Sequence, residues 1–401
     1  KWIKQGADYK PHWAFIKPVK STLPDADEDW VRNPIDYFVY AKMAEKSLKP
    51  SPEASKELLL KRVCLDLTGL PPSLEMQDRF LKDDSPQAYE KIVNELLGSK
   101  HYGEKMSVQW LDLARYADSH GYQDDGLRTM WPWRDWVIHA FNSNYSYAKF
   151  VTWQLAGDLL PRPTKEMLLA TGFNRNHKIT QEGGVIDEEY RVEYVLDKTN
   201  TFSKGILGIT MECAQCHDHK YDPFSQDDHY RFRSFFAAIK PNDALVIESA
   251  KELELINQHN GIIDKEAEPL KKSIATVLDT GRQKVIAERK SKFPQDIQAL
   301  ISVAESARDE AGKKKLQPFI EKLKVVDNDA KAALDEVAKK RIEEMQKKLA
   351  EIEAKKKLAR KAMGVTESGQ SAPATHVLFQ GDHSQPKNEV QPGFLSVLYP
   401  N

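Results

Sequence analysis

Apolar residues recur at three- and four-residue spacing through most of the first 240 positions, and polar capping residues break them into short runs. Asn33-Pro34, Ser51-Pro52 and Ser85-Pro86 each set a capping side chain before a proline suited to a first helical turn. The runs that follow predict helices ending near Ser47, Thr68 and Leu97, with Gly69 and Gly98 expected in the left-handed conformation that closes a helix. Leu70-Pro71-Pro72 predicts a turn before another short helix. Further helices are expected over Glu104 to Tyr116, Pro132 to Asn142, Ser146 to Ala156 and Asp187 to Leu207, and one more is capped by Ser225. No alternating strand of useful length interrupts this pattern up to about residue 240.

Near residue 250 the pattern changes to Lys, Glu, Ala and Leu. Ala338, Ile342, Met345, Leu349 and Ile352 form a heptad seam, and Pro294 and Pro318 are expected to break the region into a helical hairpin or several antiparallel helices. That region reads as a solvated spacer first and as a dimerising or partner-docking coiled coil second. After Gly364, a strand leading into a turn over Thr375 to Asp382 is expected to open a further domain. The expected fold class is mainly α. Its divisions are a linker leaving an upstream domain (1–32), a helical domain (33–248), a helical hairpin or coiled coil (249–363) and the start of a downstream domain (364–401).

Charge narrows the function classes little. The 59 basic residues nearly balance the 60 acidic ones, so nothing global points to nucleic acid. No apolar run is long enough to cross a bilayer, and the chain opens without methionine or signal peptide, so it reads as a segment of a longer protein. Three cysteines cannot make a disulfide scaffold, and Cys64 shares a helical face with Leu60, Val63 and Leu67 as a buried inert thiol.

The other two cysteines carry chemistry. Cys213-Ala214-Gln215-Cys216-His217 is the C-x-x-C-H pattern of covalent haem c attachment. Each thiol takes one vinyl group of the same porphyrin, and the next side chain becomes the proximal iron ligand. A redox dithiol would sit in a βαβ pattern, which is missing here, and a structural zinc site needs two further ligands. Haem c attachment takes place outside the cytoplasm, which predicts an extracytoplasmic protein.

Met211 and His219 lie too close along the backbone to reach the distal side of the iron, so His219 is expected to orient its surroundings. His177 and then His120, both in polar loops, are the candidates for distal ligand. Met106, Met130 and Met167 are expected in cores. Arg115, Arg128, Arg134 and Arg175 are candidates to pair with haem propionates. Trp131, Trp133 and Trp136, with Tyr122, predict an aromatic cluster that packs a core first and lines a haem crevice or stacks on a sugar second. Asp187, Glu188 and Glu189 suit a helix start, and the alternative use is a Ca2+ site shared with Glu182 or Asp222.

Several longer motifs accompany the thiols: Leu65 to Pro72, Trp110 to Asp118, Trp133 to Val137, Gln154 to Pro161, Glu182-Gly183-Gly184 and Cys213 to Pro223. On these the chain resembles the planctomycete-type cytochrome c proteins, large secreted multidomain haem proteins whose domains have no assigned function. The resemblance covers roughly residues 30 to 240. It implies an upstream cytochrome c-like domain before Trp2 to Tyr9 and a downstream domain opening over His376 to Leu398, both partners in the same polypeptide. Two functions are expected from it. One is electron transfer through a single haem to an unknown redox partner. The other is a haem enzyme, a peroxidase or an oxidoreductase on a carbohydrate or small metabolite, with an open distal site.

Overall fold

In the computed structural model the described residues are 13–26, 29–303, 309–367, 369 and 372–398; of the expected linker (1–32), residues 1–12 and 27–28 lie outside them. The chain is mainly α, as expected. It divides into two compact units, one built from 1–245 with 361–401 and the other from 246–360.

In the first unit, α1 (Pro34–Glu45), α2 (Lys56–Thr68), α3 (Leu74–Lys82), α4 (Ala88–Leu97), α5 (Lys100–Leu113), α6 (Trp131–Asn142), α7 (Tyr147–Ala156), α8 (Lys165–Ala170), α9 (Asp187–Phe202) and α10 (Gln226–Arg233) follow one another. Then comes β1 (Ile239–Val246). Asn33 and Ser225 cap α1 and α10 as their spacing predicts. Two other caps are corrected. Ser55, not Ser51, caps α2, because a turn begun at Pro52 would have no apolar side chain to bury. No side chain caps α4, which begins two residues after Pro86. Gly69 does adopt φ 70°. Gly98 stays right-handed at φ −80°, because Ser99 makes the turn and at once caps α5.

Two apolar clusters anchor the helices. Leu60, Val63, Cys64, Phe80, Ile92 and Leu96 join α2, α3 and α4, so Cys64 is buried as expected. Met130, Trp133, Trp136, Val137, Phe150 and Phe173 form the larger core between α6, α7 and the 3-10 turn Thr171–Arg175. Trp136 stacks on Phe150 with ring centroids 5.5 Å apart and 10° between planes. The expected aromatic cluster thus has Trp133 and Trp136 as core.

The second unit holds α11 (Ala250–Ser291), α12 (Gln295–Ser302), α13 (Glu310–Leu323), α14 (Asp327–Ala332) and α15 (Glu336–Glu353). Ile342 and Met345 of the heptad seam, with Ala338 and Leu349 beside them, pack on Ile274 and Leu278 of α11. The seam is therefore filled by the chain's own long helix. Bonds from His259 Nε2 to the Lys355 carbonyl and from Arg282 to Asp327 show α11 running antiparallel to the segments that return along it. Pro318 does not break the region; it sits inside α13, where burial of Leu316 and the edge contact of Phe319 with Phe293 hold the turn. Gly281 of α11 faces the Ala330 carbonyl of α14 with no space for a Cβ. Gly281→Ala is expected to lower the stability of this unit by ~1–3 kcal/mol, read by denaturant unfolding of the full chain.

The described residues from 361 onward, of which those from 364 were expected to open a further domain, belong to the first unit. β2 (Lys361–Glu367) pairs with β1, and Val365 N–H donates to Thr171 Oγ1 at 3.1 Å. This braces the turn that leads to Arg175 and His177. β3 (Thr375–Leu378) and β4 (Pro386–Val390) form an antiparallel hairpin with Thr375 opposite Val390. Asp228 of α10 accepts from the backbone and hydroxyl of Ser396, tying the following segment down. Among the described residues no helix is long and apolar enough to cross a membrane.

Candidate functional site

Two constellations of chemistry-bearing residues occupy the first unit. The first is the thiol turn. Residues Glu212–Gln215 form one 3-10 turn between the buried Met211 and Cys216. Met211 is a core residue, packed with Phe224, Phe232 and Phe236, so it is not available as an iron ligand without unpacking that cluster. α10 holds the turn from below: Tyr230 Oη and Gln226 Nε2 each donate to the Gln215 carbonyl at 3.0 Å. Gln226 Nε2 also donates to the Leu378 carbonyl, linking the turn to β3.

Cys213 and Cys216 are exposed free thiols, and Cys216 Sγ donates to the Gln380 carbonyl at 3.1 Å. His217 is exposed, and its Nδ1 donates to the Asp218 carbonyl at 2.7 Å. That bond puts the proton on Nδ1 and leaves the Nε2 lone pair free for a metal. His219 is nearly buried; its Nδ1 accepts from the Asp222 amide at 2.8 Å and lies 3.5 Å from the Asp222 carboxylate. It pins the loop that follows the motif.

The second constellation lies around residues 115–128 and 174–200. Arg128 donates to the carbonyls of Ala117, Asn176 and His177, so one guanidinium staples the His120 loop to the His177 loop. His177 is 2% exposed, stacks on Tyr194 at 4.4 Å, and donates from Nδ1 to the Lys178 carbonyl. Its Nε2 faces Arg175 Nη1 at 3.4 Å. Burial, then Lys198 and Arg175, push the imidazole well below its usual range, which suits this neutral, accepting tautomer. His120 is buried too, with Nε2 3.0 Å from the Gln181 side-chain nitrogen.

Arg175 makes a two-bond fork to Asp243, at 2.8 and 2.6 Å. Arg115 pairs with Asp197, and Arg134 pairs with Asp135 at the surface. No hydrogen bond, ion pair or ring contact among the described residues joins this constellation to Cys213, Cys216 or His217. Iron ligation by His177 would require Arg175 to move off Nε2.

No group of three or more His, Cys, Asp or Glu side chains able to hold a metal ion occurs among the described residues. Glu182 accepts from the Gln123 amide and Glu188 pairs with Arg191, so the carboxylates expected for calcium do not converge. The thiols and His217 do not converge on one point either, as a tetrahedral zinc site would require.

Sequence reasoning missed Tyr230, Gln226, His229 and Lys198. His229 is fully buried under Met211, and burial reinforced by Arg233 pushes its imidazole down to about 4. Lys198 is 6% exposed, bonds the Tyr194 carbonyl at 3.0 Å, and has no carboxylate partner among the described residues. The signal was its place four residues after Tyr194 and eight after Tyr190, in line with two aromatic rings.

Burial pushes the Lys198 ammonium down to about 7; Asp197 opposes this, and Arg175 and Arg115 add to it. Between about pH 7 and 9 the unfolded chain holds a proton that folded Lys198 has released, so this residue makes stability rise with pH there. Lys198→Met is expected to raise the melting temperature most below pH 7 and to flatten the rise, checked by thermal unfolding across that range.

A mainly α-helical protein with an exposed thiol-imidazole turn and a separate buried cationic cluster is the class these features define. The chain belongs to the PSCyt2 family, described as Protein of unknown function (DUF1549), which matches residues 34–241. No curated protein and no solved structure matches it. The family finding corrects the expected membership in a family of cytochrome c haem proteins: its description assigns no function and there is no evidence of haem in it.

Proposed function

We propose that the chain carries one covalent haem c at Cys213 and Cys216, with His217 Nε2 as the proximal donor, and that it passes single electrons at an exposed site outside the cytoplasm. The observation that carries this reading is the C-x-x-C-H turn itself, with both thiols exposed and unpaired and with Nδ1 of His217 already committed to a carbonyl. The donor set fits the group. Thioether formation needs two thiols at this spacing that bond carbon rather than metal, and the axial position needs one neutral imidazole nitrogen. The haem would supply a one-electron couple; the chain's part is to hold it and set its surroundings.

Electron exchange is favoured over substrate chemistry because the turn lies at the surface, where a partner can approach. Exposure also suits handing electrons to neighbouring domains of a longer polypeptide. The test is a pyridine haemochrome spectrum of the full chain produced in a periplasm with haem c maturation. The spectrum of a thioether-linked haem at one per chain is expected; a chain recovered with two titratable thiols and no such band would refute the reading.

A further inference from the structure

We propose that the cleft between α9, the loop 175–180 and β1 binds a small organic acid, its carboxylate held at Lys198 and its planar body laid against Tyr190 and Tyr194. The cleft encloses about 410 Å³ and is lined by Arg175, His177, Tyr190, Tyr194, Lys198 and Lys240 among others. It is distinct from the thiol turn and does not rest on the haem reading.

Charge balance carries the inference. Arg175, which lines the cleft, is offset by Asp243, and Arg115, outside its lining, by Asp197. Lys198 bonds only the Tyr194 carbonyl. Lys198 therefore lines the cleft without a carboxylate of its own: Asp197, which favours its charge, is already paired with Arg115. A buried ammonium without a carboxylate is costly to keep, and such cost is found where a ligand supplies the missing charge. At the rim, Arg191 is occupied by Glu188, Asp187 is an acid, and Lys240 is an exposed cation without an ion-pair partner among the described residues. The lowered basicity of Lys198 comes first from burial, which Asp197 opposes and Arg175 and Arg115 reinforce.

Shape and lining choose the class. Tyr190 and Tyr194 stand with ring centroids 5.9 Å apart, and Ile179, Val185 and Pro241 complete an apolar wall. A bare inorganic oxoanion would leave that wall in water, whereas an aromatic or cyclic carboxylate covers it. Neutral His177, whose Nδ1 proton is given to a carbonyl, adds a ring face rather than a second charge.

The experiment is a thermal-shift titration of the full chain with benzoate, benzamide and inorganic phosphate, repeated on Lys198→Met and Tyr190→Ala. Benzoate is expected to give a saturable rise in melting temperature that benzamide does not. Its apparent affinity should fall at least about tenfold in Lys198→Met, by loss of a charge-assisted bond. Tyr190→Ala, at a partly exposed ring, should weaken benzoate without unfolding the chain. An equal response to benzamide, or a benzoate response unchanged in Lys198→Met, would overturn the proposal. A phosphate rise that depends on Lys198 and matches that of benzoate would overturn the organic-acid assignment. Running the series also on Cys213→Ala/Cys216→Ala should leave the benzoate response intact, and its loss there would place the anion at the haem instead.

Discussion

Replacing Cys213 and Cys216 together by alanine is expected to abolish covalent haem while leaving the fold in place. Both side chains are exposed, and neither belongs to an apolar cluster, so their truncation should change stability by no more than about 0.5 kcal/mol. The supports of the turn, Tyr230 and Gln226, bond the Gln215 carbonyl and are untouched by the change. His217→Ala should separate attachment from ligation: the thioethers still form, but the visible spectrum shifts because the proximal nitrogen is gone. Absorption spectra of the two variants, set beside circular dichroism of the same samples, check both statements. A double-alanine chain that still retains haem through denaturation would show that these cysteines are not its anchor.

The second large effect is in the core that packs the 171–175 turn. Trp133 is 1% exposed and lies at the middle of the core formed by α6, α7 and the 171–175 turn, beside Tyr116 and Phe173. Gly172 lies directly against its indole, where a Cβ would come within 2.8 Å of the ring. Trp133→Ala removes a large buried side chain from a site whose backbone neighbour cannot collapse far, so a loss of ~3–5 kcal/mol is expected. Denaturant unfolding followed by far-ultraviolet circular dichroism measures it. The change should also loosen the turn that carries Arg175, and so reduce the benzoate response.

These expectations come from different depths of the sequence. Helix content was legible because α2, α4, α6 and α7 each show three- and four-residue apolar spacing, and because Asn33, Ser146 and Ser225 cap as their type requires. Ser51 misled because a cap signal says nothing about whether the turn behind it buries anything. The heptad seam was visible, but its partner was not: periodicity tells that Ile342 and Met345 need a facing helix, and only the fold shows that α11 supplies it. β1 and β2 were illegible for a related reason, since they pair across a separation of more than a hundred residues that leaves no local trace.

The candidate site divides in the same way. Cys213, Cys216 and His217 are contiguous, so spacing alone exposes them. His177, Arg175 and Lys198 acquire meaning only when α9 is folded beside the 175–180 loop, and reading the first two as haem groups followed from knowing their residue types without their neighbours. Arg175 turns out to be committed to Asp243, and His177 to Lys178 and Arg175. What distinguishes Lys198 is deep burial without an ion-pair partner among the described residues, Asp197 being taken by Arg115, a property of three dimensions.

The most direct measurement for the central claim is the mass of the peptide containing Cys213 to His217 after proteolysis of the full chain matured in a periplasm. The proposed function predicts that this peptide carries one haem bonded to both cysteines and resists thiol alkylation. The same peptide recovered without haem, alkylated at Cys213 and Cys216, would contradict it.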